Sequence, residues 1–204
     1  MTQSRIRGIL TVIGLTAVMW ILEFLDVLFG NALDTYGIQP RDINELGDIF
    51  LAPFLHFGFQ HLIANTLPLL VLGALVAFSG LGRFAAASLI IIIVSGLGVW
   101  FISPASSTTL GASGLVFGYF GYLVLRGFVE RKTSDIVIMI CVLIFYGTMI
   151  FGVLPANEGV SWQAHLFGFL GGLLAAYLLP KRQRPAPLTG GYGASGSYGG
   201  YGGY

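Results

Sequence analysis

Charge is what this sequence has least of. Only 9% of its 204 residues are Asp, Glu, Lys or Arg, against about 25% in soluble domains. So few charges cannot cover the water-facing surface of a chain that is 55% hydrophobic. That excludes an ordinary soluble enzyme and a disordered chain. The net charge of +1 supplies no bulk attraction to a polyanion, so a nucleic-acid partner is excluded as well. A single cysteine, Cys141, rules out an intramolecular disulfide framework and any Cys-rich metal site. Lying within an apolar run, its thiol is expected to stay protonated and inert.

Long apolar runs are what the chain does have. Six can be read, at about 8–29, 59–78, 84–102, 113–129, 136–154 and 162–179. Each suits a membrane-spanning helix and is too long for a membrane β-strand. The first follows Arg5 and Arg7 and lacks a convincing cleavage site, so it reads as a retained span rather than a secretory signal. The expected fold is all-α, a polytopic bundle of six transmembrane helices in the lipid bilayer. Lys and Arg set its orientation. Nine of the ten fall on one side if the N-terminus is cytoplasmic, and only Arg41 falls on the other. Both termini are therefore expected in the cytoplasm, with the plasma membrane as the location.

The loop at 30–58 is long, and its stretch 49–55 is too apolar for free solvent and too short to span. It is expected in the outer interface or packed on the bundle. Residues 185–204 are Gly/Tyr/Ser-rich and cannot build a core, so they read as a disordered cytoplasmic tail after a membrane domain at 1–184. Gly114 and Gly118, and likewise Gly168 and Gly172, are four residues apart. Small residues at that spacing let helix backbones approach closely, so the fourth and sixth spans are expected to touch.

Strongly polar groups inside a bilayer are costly and point to function. His56 precedes the second span, and His61 and Asn65 share one face of its first two turns. Ser113, within Gly111-Ala112-Ser113-Gly114, opens the fourth span, and His165 lies in the first turn of the sixth. The topology drawn from Lys and Arg puts His61, Asn65, Ser113 and His165 at one depth, in the outer part of the membrane. A serine at a helix N-terminus has unpaired N–H groups and a positive dipole end beside it, where an oxyanion would be stabilised. With a histidine base and further polar donors, this is a nucleophilic hydrolase constellation. No acidic residue is placed to complete a triad, so a Ser–His dyad is expected. Glu23 and Asp26, three residues apart in the first span, could face a polar crevice or the outer interface; they receive no catalytic role. The tetrapeptide alone is weak evidence, since it recurs at Gly193–Gly196 in the tail. A small transporter with His and Asn lining a path is the other class, although transporter sites usually lie near the midplane.

The pattern resembles the rhomboid family of intramembrane serine proteases. His56, His61 and Asn65 match its H-x4-H-x3-N stretch, Gly111–Gly114 its G-x-S-G, and His165, Gly168 and Gly172 its H-x2-G-x3-G. The resemblance implies Ser113 as nucleophile and His165 as general base and acid. It implies His61, Asn65 and the Ser113 N–H as oxyanion donors, and Gly111, Gly114, Phe117, His56, Gly168 and Gly172 as supporting residues. The implied substrate is itself a transmembrane helix, with no cofactor and no metal. Two positions depart from the family. Gly47-Asp48 stands where it often has Trp-Arg in the first loop, and Phe117 stands where it often has Tyr against the histidine ring. A catalytically silent relative that only binds transmembrane helices is the alternative reading.

Overall fold

In a membrane, helices are held together mainly by close packing and interhelical hydrogen bonds, because lipid is as apolar as Leu. The positions where backbones meet therefore decide the architecture. The computed structural model describes residues 3–155 and 159–179. Among these described residues there are six α-helices: α1 (Gln3–Leu28), α2 (Phe59–Ala77), α3 (Leu81–Ile102), α4 (Ser113–Glu130), α5 (Thr133–Tyr146) and α6 (Trp162–Leu178). No strand occurs among the described residues. By length and apolarity, α1, α2, α3 and Thr133–Val153 can each cross a membrane. Residues 180–204, including the expected tail and its boundary at 184, lie outside the described residues.

Helix α4 is the centre of the bundle. From Gly114 to Leu123 every residue is buried. Its contact with α6 is made by glycines: a Cβ on Gly168 would fall on the carbonyl oxygen of Gly114, and one on Gly172 on that of Gly118. The glycine spacing thus yields the expected α4–α6 contact. Helix α3 closes on the same seam, where Gly171 meets the backbone of Ile91 and Gly118 meets its side chain. Helix α5 is peripheral, burying only Asp135 and Val142. Cys141 is exposed on its outer side.

Two boundaries differ from the sequence pattern. Helix α1 begins at Gln3, a turn before the apolar run. The fifth run is α-helical only to Tyr146 and continues as a tighter 3-10 stretch, Gly147–Val153. The glycines at 147 and 152 weaken α-helix there, and 3-10 turns are frequent at the C-terminal ends of α-helices. The apolar stretch of the first loop packs on the bundle. Ile49, Ala52 and Leu55 are buried with Val99, Leu110 and Ala164, while Phe50 and Leu51 face outward. Glu23 and Asp26 turn inward from α1, and Asp26 accepts the Leu33 N–H at 2.6 Å.

The two ends of the bundle differ in chemistry. At one end, Arg83 pairs with Glu130 at 2.6 Å and Arg126 with Asp135 at 2.8 Å. All three histidines lie toward the other end, at the start of α2 and of α6.

Candidate active site

The N-terminus of α4 sits where three backbones converge. Gly114 lies against the Ser95 hydroxyl of α3 and the Ala164 carbonyl of α6, which Ser95 also bonds at 3.0 Å. One residue earlier is Ser113, and three residues before Gly168 is His165. The glycine seam therefore fixes the approach of serine and histidine.

The turn before Ser113 is held from both sides. Gly111 has φ +124°, a conformation that L side chains rarely adopt, and its N–H donates to the Ala52 carbonyl at 2.8 Å. A Cβ there would lie 2.5 Å from Cε1 of the His61 ring, so only glycine admits this ring. The Ala112 N–H donates to His56 Nε2 at 3.3 Å. His56 is fully buried, edge-on to His61 with ring centroids 5.1 Å apart. Burial, with the neighbouring His61 adding to it, lowers the His56 pKa to about 3. The ring is thus neutral at physiological pH, and its Nε2 lone pair is free to accept.

Below about pH 6.5 the unfolded chain takes up a proton at His56 that the folded chain refuses. Stability from this group is therefore present above pH 6.5 and falls as the pH drops toward 3. The melting temperature in detergent should decline between pH 6.5 and 4, and His56→Gln should flatten that decline. An unchanged slope would show that His56 is not held neutral.

His165 is 8% exposed and lies flat on Phe117, with ring centroids 4.0 Å apart and planes 8° apart. Its Nδ1 lies 2.9 Å from the Gly152 carbonyl oxygen. A carbonyl only accepts, so Nδ1 carries the proton and Nε2 has the free lone pair. Gly152 must be glycine, since a Cβ would sit 2.6 Å from Phe117 Cζ. This carbonyl, at the end of the 3-10 stretch, occupies the place that an acidic third member would take. No side-chain pattern could have announced it; the glycine at 152 was its only trace. Ser161 starts α6 by accepting the Ala164 N–H at 3.3 Å.

Ser113, His165 and His61 all line one cavity of about 490 Å³. Its walls are the 103–110 loop, including Ser107 and Thr108, and the segment Gly159–Gln163. Among the described residues, its two histidines are the only ionisable side chains in the lining. Asn65 is not among the lining residues: it is buried one turn deeper, and its Nδ2 donates to the His61 carbonyl at 3.0 Å. Three of the four expected site residues are thus brought to one cavity, and Asn65 stands behind it. No group of His, Cys, Asp and Glu with metal-holding geometry occurs among the described residues.

A family model described as Rhomboid domain matches residues 44–182. The chain belongs to the rhomboid family. This rhomboid is 43% identical over 184 residues to an uncharacterized protein of Mycobacterium tuberculosis, covering 86% of this chain and 77% of that one. It is 29% identical over 197 residues to YdcA of Bacillus subtilis, itself named only provisionally as a rhomboid protease, covering 90% and 94% of the two chains. With the rhomboid protease GluP of Bacillus subtilis it shares 31% identity over 176 residues, 80% of this chain and 33% of that protein. The matched region contains all of the polar residues just described.

Proposed function

We propose that this rhomboid is an intramembrane serine endopeptidase with Ser113 as nucleophile and His165 as general base and acid. The observation that carries the reading is the mounting of His165. Its ring is stacked on Phe117, its Nδ1 proton is held by the Gly152 carbonyl, and it lines the same cavity as Ser113. In the proposed reaction, His165 Nε2 takes the Ser113 proton as Oγ attacks the scissile carbonyl. The imidazolium then gives that proton to the leaving amine, and the acyl-enzyme is hydrolysed by a water that His165 activates. The Ser113 N–H at the start of α4 and the His61 side chain would face the oxyanion. Asn65 is proposed as a further donor: one amide proton is held by the His61 carbonyl, and the second would have to reach the oxyanion from behind the cavity lining.

The proposed substrates are membrane proteins with a spanning helix. Such a helix hides its amides in its own hydrogen bonds and must unwind locally before attack. The positive-inside bias supports a plasma-membrane orientation with both termini cytoplasmic and the cavity open to the extracytoplasmic side. The membrane domain is proposed to end near 184, with 185–204 as a cytoplasmic tail.

Reaction of the purified protein with a fluorophosphonate tests the assignment. A stoichiometric adduct on Ser113, lost in His165→Ala, is expected. Absence of an adduct, or an adduct elsewhere, would refute the nucleophile.

The role of Asn65 can be separated from packing. As an oxyanion donor, Asn65→Ala should lower turnover by roughly 10²-fold, up to 10³, with substrate binding little changed. Interhelical hydrogen bonds alone average about 0.6 kcal/mol in membranes. A lower melting point with turnover intact would move Asn65 to a structural role.

A further inference from the structure

Arg41 is the one basic residue that the positive-inside pattern leaves on the outer side, and its backbone is unusual. It has φ +66°, rare for a residue with a side chain. Such a conformation persists only where surrounding contacts determine it. Here the Arg41 N–H donates to the Trp100 carbonyl at 3.1 Å. The guanidinium Nη1 donates to the carbonyls of Ser103 at 2.9 Å and Phe101 at 3.3 Å. These are C-terminal carbonyls of α3, which lack helical partners and favour a cation. In return, Trp100 Nε1 donates to the Asp42 carbonyl at 3.0 Å. Two chain segments are thus cross-tied by four hydrogen bonds in which two side chains each grip the other segment's backbone.

The tie continues along the loop. Ile38 and Thr109 exchange backbone hydrogen bonds of 2.8 and 3.1 Å. Gly37 lies so close that a Cβ would be 2.5 Å from Thr108 Cγ2. The segment 37–42 therefore runs along the outside of 100–109. The inner side of that same loop is the cavity wall, through Ser103, Pro104, Ser107, Thr108, Thr109 and Leu110. His165 is braced elsewhere, by Phe117 and Gly152, and Gly111 by Ala52.

We infer that Arg41, together with Trp100, is a positioning residue that fixes the 103–110 wall of the cavity and so governs how a transmembrane substrate seats, without acting on the dyad. The inference rests on the proposed protease reading for its kinetic form. Arg41 braces the wall against which a long substrate must lie, whereas a small reagent reaching Ser113 does not need that wall.

The test compares Arg41→Ala, Arg41→Lys and Trp100→Phe with wild type. Arg41→Ala should raise KM for a transmembrane substrate roughly tenfold, with kcat and the fluorophosphonate labelling rate within about twofold. Both carbonyls are reached by Nη1 alone, and lysine offers a cationic donor on a stem one bond shorter, so Arg41→Lys should recover part of the loss. Trp100→Phe should shift KM in the same direction, and the double variant should fall short of the product because both brace one loop. The same variants in a Ser113→Ala background should weaken binding of a fluorescently labelled transmembrane helix by a similar factor. That arm needs no cleavage, so it tests the wall even if the protease reading fails, while absent labelling of wild type counts against that reading alone. Unchanged KM and unchanged helix binding in Arg41→Ala would overturn the inference. So would a parallel fall in labelling, cleavage and melting temperature, which marks Arg41 as merely structural.

Discussion

Ser113→Ala is expected to abolish cleavage while leaving the fold intact. The change removes one oxygen from a residue that lines a cavity, and the glycine seam beside it is untouched. Loss of the nucleophile or base of a serine hydrolase lowers turnover on the order of 10⁶-fold, and the losses do not add because the pair acts as a unit. His165→Ala should therefore be about as severe as Ser113→Ala, and the double variant no worse than either. His165→Ala also removes the ring stacked on Phe117, so some melting temperature should be lost with it. Turnover compared at temperatures below each variant's melting point checks this. Losses that multiply in the double variant would mean that the two residues work independently.

Gly172→Val should have the largest effect on the fold. Its Cβ would fall on the carbonyl oxygen of Gly118, with the Tyr122 nitrogen at 2.8 Å. All of these are backbone atoms of the central helix, so no side chain can swing aside. Overpacking typically costs about 1–3 kcal/mol, occasionally more, and this position belongs at or beyond the upper end. Gly14 supplies the control, because nothing lies within 4 Å of a Cβ there. Gly14→Ala should leave the melting temperature in detergent unchanged or slightly higher. Equal effects of the two substitutions would show that α4 and α6 are not in backbone contact.

Much of the architecture was written in side chains that have a membrane meaning. The charge distribution and apolar runs marked six helices. The four-residue glycine spacings marked the α4–α6 seam because only glycine allows carbonyl oxygens to approach another helix so closely. His61, Ser113 and His165 could be grouped because polar side chains within lipid are few. What escaped the sequence was carried by backbone. The partner of His165 is the Gly152 carbonyl, and every residue has a carbonyl. The end of α5 at Tyr146 turns on a small balance between α and 3-10 geometry that an apolar run does not display. The four-residue spacing puts Asn65 one turn below His61, but that it falls outside the cavity lining depends on the elements packed around α2, which the spacing does not give. Arg41 looked like a lone exception to the positive-inside pattern; its partners are carbonyls of α3 rather than an acid.

The central claim is that a serine at the end of this bundle cuts a helix within the membrane. Its most direct measurement is cleavage of a panel of single-span proteins by the purified protein in proteoliposomes, with Ser113→Ala as the parallel sample. The account predicts cleavage in or near the spanning segment of at least one substrate, favoured by helix-weakening Gly or Pro, and none with Ser113→Ala. Cleavage that persists in Ser113→Ala would contradict it, as would binding of spanning helices with no cleavage by the wild-type protein across the panel.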